Sequence, residues 1–311
     1  MRNCSICGER TAIYTRRYSG ESLCRRCFLK SVEDKVQKTI SKYEMFNPDD
    51  RIAVAVSGGK DSLTLLHILA KIERRFPKAE LVAITVDEGI GTHRVEAMKI
   101  VRENCEKLGV EHVTTSFKEL YGYTLDEVVQ NTAGSGLHPC SFCGVLRRRA
   151  LNSAARMVEA DKLATAHTLD DFAQTILINV MRNTLYRLVR ISFSRTRSVP
   201  GFVPRVYPFM ELYEKETALY THLRELEHND APCPYAEFSM RWDLRMFLYE
   251  QEEKHPGLLY NILRFHQRLL KRVEKTDIRL NRCALCGYPT PHKICRAHYL
   301  KQYVDKIASR T

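Results

Sequence analysis

No apolar run in the sequence reaches the ~18 residues that suggest a membrane span. No apolar stretch follows the opening Met1-Arg2-Asn3-Cys4, so no secretory signal is expected and the reading is cytoplasmic. No long internal repeat is visible, although both ends look like small metal modules. Acidic residues are in deficit, with 37 Asp+Glu against 49 Lys+Arg, for a formal net charge of +12. That surplus favours a polyanionic partner, because each cation set on a phosphate releases condensed counterions. Charge alone also fits a basic protein with no nucleic-acid role. The 11 cysteines of a cytoplasmic chain are not expected to pair as disulfides. Ten of them fall into three groups with ligand-like spacing, so metal is the better reading.

What is present is enough chain, 311 residues at 44% hydrophobic, for one large core with small appended modules. Apolar runs at 52–56, 81–86, 113–117 and 162–166 read as strands. Helical periodicity covers 30–46, 63–75, 95–108, 143–158 and 170–183. This alternation predicts an α/β fold, a parallel sheet with helices on both faces. After Arg190 the pattern changes. Residues 199–209 carry Pro200, Gly201, Pro204 and Pro208 and read as extended loop. Residues 214–228 and 240–272 read as helical, the latter interrupted at His255-Pro256-Gly257.

The first strand runs into Ser57-Gly58-Gly59-Lys60-Asp61-Ser62 and then a helix. Gly58 and Gly59 lack a Cβ, so backbone can approach a phosphate closely. The helix start offers free N–H groups and the positive end of its dipole. Lys60 adds charge, and Ser57 and Ser62 add hydroxyls. The spacing is not G-x-x-x-x-G-K-[ST], so this is not a Walker loop. It resembles the S-G-G-x-D-S loop of the PP-loop ATP pyrophosphatases. That resemblance implies a Rossmann-like, adenine nucleotide alpha hydrolase-like sheet. It also implies that ATP is cleaved between its α- and β-phosphates and that AMP passes to a substrate oxygen. Asp61 would then help position magnesium.

The stretch Ala164-Thr165-Ala166-His167-Thr168-Leu169-Asp170-Asp171-Phe172-Ala173-Gln174-Thr175 is similar to the family's G-H-N-x-D-D-x-x-E-T. Asp171 is the better candidate for magnesium or catalysis, and His167 joins the nucleotide site. Ala166, Thr168 and Gln174 depart from the pattern. Asp87, in Val86-Asp87-Glu88-Gly89-Ile90-Gly91 at a strand's carboxyl end, suits the adenosine.

Cys4-x2-Cys7 and Cys24-x2-Cys27 form a first site with the spacing of structural zinc. Cys283-x2-Cys286 with Cys295-x2-His298 forms a second, in which His292 competes with His298 as last ligand. The third group, Cys140, Cys143 and Cys233, has no evident fourth member. It reads as an iron–sulfur cluster with one open iron, as a zinc site completed by His138, or as a nucleophilic persulfide pair. Cys105 falls on the apolar face of its helix and reads as core.

Taken together, the chain resembles the tRNA 2-thiolation enzymes of the TtuA/NcsA type, within the broader TtcA group. The matching segments are residues 57–62, 86–91, 132–136, 140–151 and 283–289, in order over nearly the whole chain. The resemblance implies four parts: an N-terminal zinc finger at 1–30, a PP-loop catalytic domain at 31–210, a helical part at 211–278, and a zinc ribbon at 279–311. It implies two structural zinc ions and a [4Fe–4S] cluster on Cys140, Cys143 and Cys233, whose free iron takes up sulfide. It implies sulfur from a ubiquitin-like carrier thiocarboxylate or free sulfide, tRNA as substrate, and a homodimer. The C2 oxygen of uridine is a poor leaving group, and adenylation makes it a good one. Lys60 and magnesium would stabilise the phosphates. Of Arg147, Arg148 and Arg149, which fan around a predicted helix, one is expected to face the active site, and Arg147 takes a catalytic role. Arg182, Arg187, Arg190, Arg195 and Arg197 form a looser basic stretch that could grip tRNA phosphates. The run at 143–151 looks more like the wobble-uridine branch than the T-loop branch. The competing readings are a cluster-free persulfide thiolase, another PP-loop synthetase, and a non-catalytic zinc RNA-binding protein.

Overall fold

The computed structural model describes residues 2–132, 138–189, 191, 200–235, 240–273 and 280–309. An antiparallel hairpin, β1 (Tyr14–Thr15) and β2 (Ser22–Leu23), leads into helix α1 (Arg25–Lys42). Strands and helices then alternate through β3 (Arg51–Ala55), α2 (Lys60–Glu73), β4 (Glu80–Asp87), α3 (Gly91–Leu108) and β5 (Glu111–Ser116). Helices α4 (Phe117–Tyr121), α5 (Leu125–Asn131) and α6 (Pro139–Met157) precede β6 (Lys162–Ala164), α7 (Leu169–Met181), α8 (Leu185–Leu188) and β7 (Arg205–Val206). The chain continues through α9 (Glu214–Leu223), α10 (Met240–Lys254) and α11 (Leu258–Leu270). A second hairpin, β8 (Asn281–Arg282) and β9 (Pro289–Thr290), and helix α12 (Arg296–Ala308) follow.

Five strands pair in parallel in the order β5-β4-β3-β6-β7. The chain moves outward from β3 through β4 to β5, then returns to the other side of β3. Parallel strands all end on one side, and the crevice outside their carboxyl ends at such a reversal is where ligands bind. Side chains alternate across the sheet. Ile52 and Val54 pack with Leu63 and Leu66 of α2 on one face. Ala53 and Ile84 pack with Ala154 and Ala155 of α6 on the other. Both faces are therefore covered, as the alternating pattern predicted.

Some elements differ from the sequence expectation, each for a local reason. Helix α6 starts at Pro139 rather than Cys143, because proline suits the first turn of a helix. Cys140 and Cys143 therefore both lie on its first turn, three residues apart and on one face. The segment expected as loop at 199–209 supplies β7, a two-residue edge strand flanked by Pro204 and Pro208. Helices α4 and α5 went unread, although capping boxes at Ser116/Glu119 and Thr124/Glu127 begin them.

The end modules pack into the body of the protein. Cys4, Leu23, Cys24 and Phe28 belong to the same buried cluster as the sheet. Cys283, Cys295, Leu300 and Val304 pack with Phe142, Leu146 and Ala150 of α6. Between the first module and α9 stands Glu216, fully buried, 2.6 Å from Arg16 Nε and 2.9 Å from Lys35 Nζ. Burial pushes its carboxyl up, but the Lys35 and Arg16 charges outweigh this and hold it below the ordinary value. Glu216→Gln is expected to cost about 3 kcal/mol at neutral pH, because it leaves buried cations uncompensated. The depressed folded-state value makes this contribution full above pH 4.5 and lost as the pH falls through the folded value. Urea unfolding of the native and variant proteins across that range checks both.

Candidate active site

The phosphate loop leaves β3 and enters α2 at the reversal point. Gly58 has φ of 92°, and a Cβ there would lie 2.8 Å from the Ala97 carbonyl oxygen of α3. Glycine is therefore required both for the backbone angle and for the close approach. The two serines brace the turn: the Ser57 N–H donates to Ser62 Oγ at 3.1 Å, and Ser62 Oγ donates to the Gly59 carbonyl at 2.9 Å. Gly59 is the N-cap of α2, and no side chain caps that end. Its first N–H groups can therefore receive an anion.

Lys60 Nζ is 2.9 Å from Asp61 and 2.7 Å from Glu214. Glu214, at the start of α9, also accepts from Arg245 Nη2 at 2.6 Å and from Tyr249 OH at 2.7 Å. The Thr217 hydroxyl donates to Asp61. Burial pushes the Asp61 carboxyl up even though Lys60 opposes this. Sequence reading missed Glu214, Thr217, Arg245 and Tyr249. They lie far along the chain, and no local motif marks them.

The second predicted segment sits beside this loop. Thr168 caps α7 through a capping box with Asp171, whose carboxylate takes the Thr168 N–H at 3.1 Å and lies 3.7 Å from Arg241. Asp170 is the buried member of the pair and accepts the Glu214 N–H at 2.8 Å. Burial pushes its carboxyl up to about 7. It lines a cavity of about 310 Å³ with Lys60, Tyr213, Glu214, Tyr249 and Glu252. His167 stands exposed, its Nδ1 2.9 Å from the Thr165 hydroxyl and its ring edge-on to Tyr207. Desolvation by neighbouring protein lowers its pKa, against the pull of the Asp171 charge. The family departures have structural occupations: Thr168 is the helix cap, buried Gln174 accepts from Arg241 at 3.2 Å, and Ala166 packs on the core. Asp87 ends β4 and accepts the Gly89 N–H at 2.8 Å.

The three remaining cysteines gather at the same end of the sheet. Cys140 is exposed, and Cys143 and Cys233 are partly buried. Burial raises Cys140 and Cys143, the latter to about 11, and the nearby Cys233 charge raises both further. The Cys140 thiol donates to the Tyr235 carbonyl at 3.4 Å, and His138 stands at the N-cap of α6. Among the described residues these three sulfurs do not form a group of donors within 4.8 Å of one another, so a single ion does not fit them, with or without His138. Three soft sulfur donors at wider spacing, open to solvent through Cys140, suit a cluster that keeps one free position.

Two further groups have closed ligand geometry. The sulfurs of Cys4, Cys7, Cys24 and Cys27 lie within 4.8 Å of one another, and so do the donor atoms of Cys283, Cys286, Cys295 and His298. His292 lies outside the second group. Four converging donors of this kind suit a structural metal.

The arginines of α6 diverge. Arg147 reaches to 3.5 Å from Glu88. Arg148 gives its backbone carbonyl to Arg205 at 2.6 Å. Arg149 lies 2.6 Å from Cys295 Sγ and 3.1 Å from Cys286 Sγ, with its guanidinium over the Tyr288 ring. It is engaged with two sulfurs of the second module rather than solvated. Of the basic stretch, Arg182 and Arg187 are described, whereas Arg190, Arg195 and Arg197 lie outside the described residues, as do Ala133 to Gly136 of the matching segments.

A parallel α/β sheet with a Ser-Gly-Gly-Lys-Asp-Ser loop at its reversal point defines a PP-loop enzyme that binds ATP. The PP-loop domain family matches residues 29–230, and the N-terminal LIM domain of 2-thiouridine synthetase TtuA matches residues 3–29. A probable sulfurtransferase of Methanocaldococcus jannaschii is 38% identical over 294 residues, 93% of this chain and 84% of the relative. Cytoplasmic tRNA 2-thiolation protein 1 of Oryza sativa subsp. japonica is 35% identical over 95% of this chain and 81% of its own length. The U34-tRNA thiolase NcsA from Methanococcus maripaludis, solved with its [4Fe-4S] cluster, superposes with a TM-score of 0.86 at 31% identity, covering 97% of this chain and 96% of that one. The chain belongs to this PP-loop family of tRNA 2-thiolation sulfurtransferases. No helix among the described residues is long and apolar enough to cross a membrane.

Gly58→Ala is expected to weaken ATP binding about tenfold, since strain of 1–3 kcal/mol adds to the contact with Ala97. Calorimetric titration with a non-hydrolysable analogue measures this. His298→Ala is expected to lower the protein's metal content by about one equivalent while His292→Ala leaves it unchanged, as read by elemental analysis.

Proposed function

We propose that the protein converts a tRNA uridine, at the wobble position, to 2-thiouridine. The observation that carries this is the meeting of the phosphate loop and three cysteines at one end of one sheet, in a chain with a +12 charge. ATP would lie with its β- and γ-phosphates on the N–H groups of residues 57–62, with Lys60 beside them. Asp61 and Asp171 are the candidates for magnesium, Asp87 and His167 for the adenosine side. The uridine C2 oxygen attacks the α-phosphorus, the α–β bond breaks, and pyrophosphate leaves with that electron pair. Sulfur then adds at C2, and AMP departs carrying the former C2 oxygen.

Cys140, Cys143 and Cys233 fit a [4Fe–4S] cluster, since they offer three thiolates and an exposed side. When bound, such a cluster would supply an iron that holds the incoming sulfur. Arg147, one turn beyond Cys143, brings a cation next to those thiols and offsets their negative charge. The relative named as a U34-tRNA thiolase supports the wobble position, because U34 is the wobble nucleotide. The cytoplasmic relatives support the same placement here. Zinc suits both end modules. The sulfur donor is a carrier thiocarboxylate or free sulfide, and the working unit is a homodimer.

Anaerobic purification with iron, sulfide and zinc analysis tests the cluster. Native protein is expected to be brown with two zinc equivalents, and Cys140→Ala is expected to lose the visible absorbance and the activity together. A colourless native protein that stays active after iron removal would establish persulfide chemistry instead. Nucleoside mapping of tRNA from a deletion strain tests the product. Loss of 2-thiouridine at the wobble position supports the reading, loss at the T-loop reassigns the uridine, and loss at neither rejects thiolation.

A further inference from the structure

We propose that Arg94 and Glu88 form a strut that joins the phosphate loop to Arg147 beside the thiols, so that each end sets the position of the other. The proposal rests on the reading above only in taking both ends as one active site. Arg94 lies in the first turn of α3 and Glu88 follows β4, and their side chains are 7% and 5% exposed. Arg94 Nη1 donates to the Ser57 carbonyl of the phosphate loop at 2.6 Å, and Nη2 donates to the Val86 carbonyl. Its Nε lies 2.9 Å from one Glu88 oxygen, and the other Glu88 oxygen lies 3.5 Å from Arg147 Nη1. Arg147 in turn lies four residues, one helical turn, after Cys143 on α6, so the two share a face of that helix.

The path from loop to thiols is thus a run of charged contacts through one buried carboxylate. A buried carboxylate is retained only with well-placed partners. Here two cations share it, one at each oxygen: Arg94 in ion-pair contact but without an aligned Nε–H···O bond, and Arg147 at 3.5 Å. Arg94 fixes the loop side, and Arg147, half-exposed, stands on the helix that carries Cys140 and Cys143. A second tie runs parallel to the first. The Asn229 N–H donates to the Gly58 carbonyl at 2.9 Å, and Asn229 Nδ2 donates to the His93 carbonyl at 3.1 Å. Asn229 Oδ1 also accepts the Ala231 N–H at 2.8 Å, which shapes the segment leading to Cys233. Two successive carbonyls of the phosphate loop are therefore held by groups that lead to the two thiol-bearing segments. The loop cannot shift on taking up pyrophosphate without pulling on at least one of them. Arg94, Glu88 and Asn229 are positioning residues in this scheme.

The test is a double-mutant cycle on nucleotide affinity in the full-length protein, read by calorimetry with magnesium and α,β-methylene-ATP. Arg147→Gln is expected to weaken binding about fivefold in the native background. In the Glu88→Gln background the same change is expected to alter it less than about twofold, because the connection is already cut. Equal losses in both backgrounds would mean that Arg147 meets the nucleotide directly, and no loss in either would mean that the ends are independent; each overturns the strut. If Glu88→Gln does not fold, Arg94→Lys takes its place, with the same pattern expected, because lysine lacks the fork that reaches both carbonyls and Glu88. A merely structural role would lower the melting temperatures without this dependence on background. The cycle reads nucleotide binding alone, so it can fail while tRNA thiolation stands, and thiolation can fail while the cycle holds.

Discussion

The close approach of the phosphate loop to the first turns of α3 holds the site together. With Gly58 in the left-handed region and no Cβ, the loop backbone comes against Ala97, and only then can Arg94 reach the Ser57 carbonyl. The same approach lets Asn229 take the Gly58 carbonyl, which brings the segment carrying Cys233 to the crevice. A parallel sheet makes this possible. Its strands all end on one side, so loops from β3, β4 and β6 meet there without long excursions.

The end modules act as packing elements as well as groups of converging donors that could hold a metal. The first shares its core with the sheet and is fastened to α9 through Arg16, Lys35 and Glu216. The second rests on α6, and Arg149 reaches from that helix to two of its sulfurs. Helix α6 thus carries the central thiols at its start and supports the second end module farther along. Hydrogen bonds from a guanidinium to metal-binding thiolates also stabilise their charge.

Much of this was legible in local pattern. The β/α alternation, the phosphate loop, the cysteine pairs and the family they point to all depend on residues close in sequence. Boundaries were less so. The start of α6 at Pro139 placed Cys140 and Cys143 on one turn, and β7 was hidden among prolines. The capping boxes of α4 and α5 were readable signals that the apolar periodicity obscured, because both helices are short.

Sequence alone was enough for the fold class and for the chemistry class, since hydrophobic period and motif spacing are local properties of the backbone. Only the folded chain decided which of two aspartates is buried, since Asp170 meets the Glu214 N–H from 44 residues away. It alone brought His298, and not His292, within reach of Cys283, Cys286 and Cys295, because donors far apart in sequence must converge in space. It alone sent Arg147, Arg148 and Arg149 in three directions, because a helix turns about 100° per residue and their partners lie on different elements. The phosphate loop could be recognised from six residues, but Glu214, Arg245 and Arg94, which hold it, come from helices that meet it only after folding.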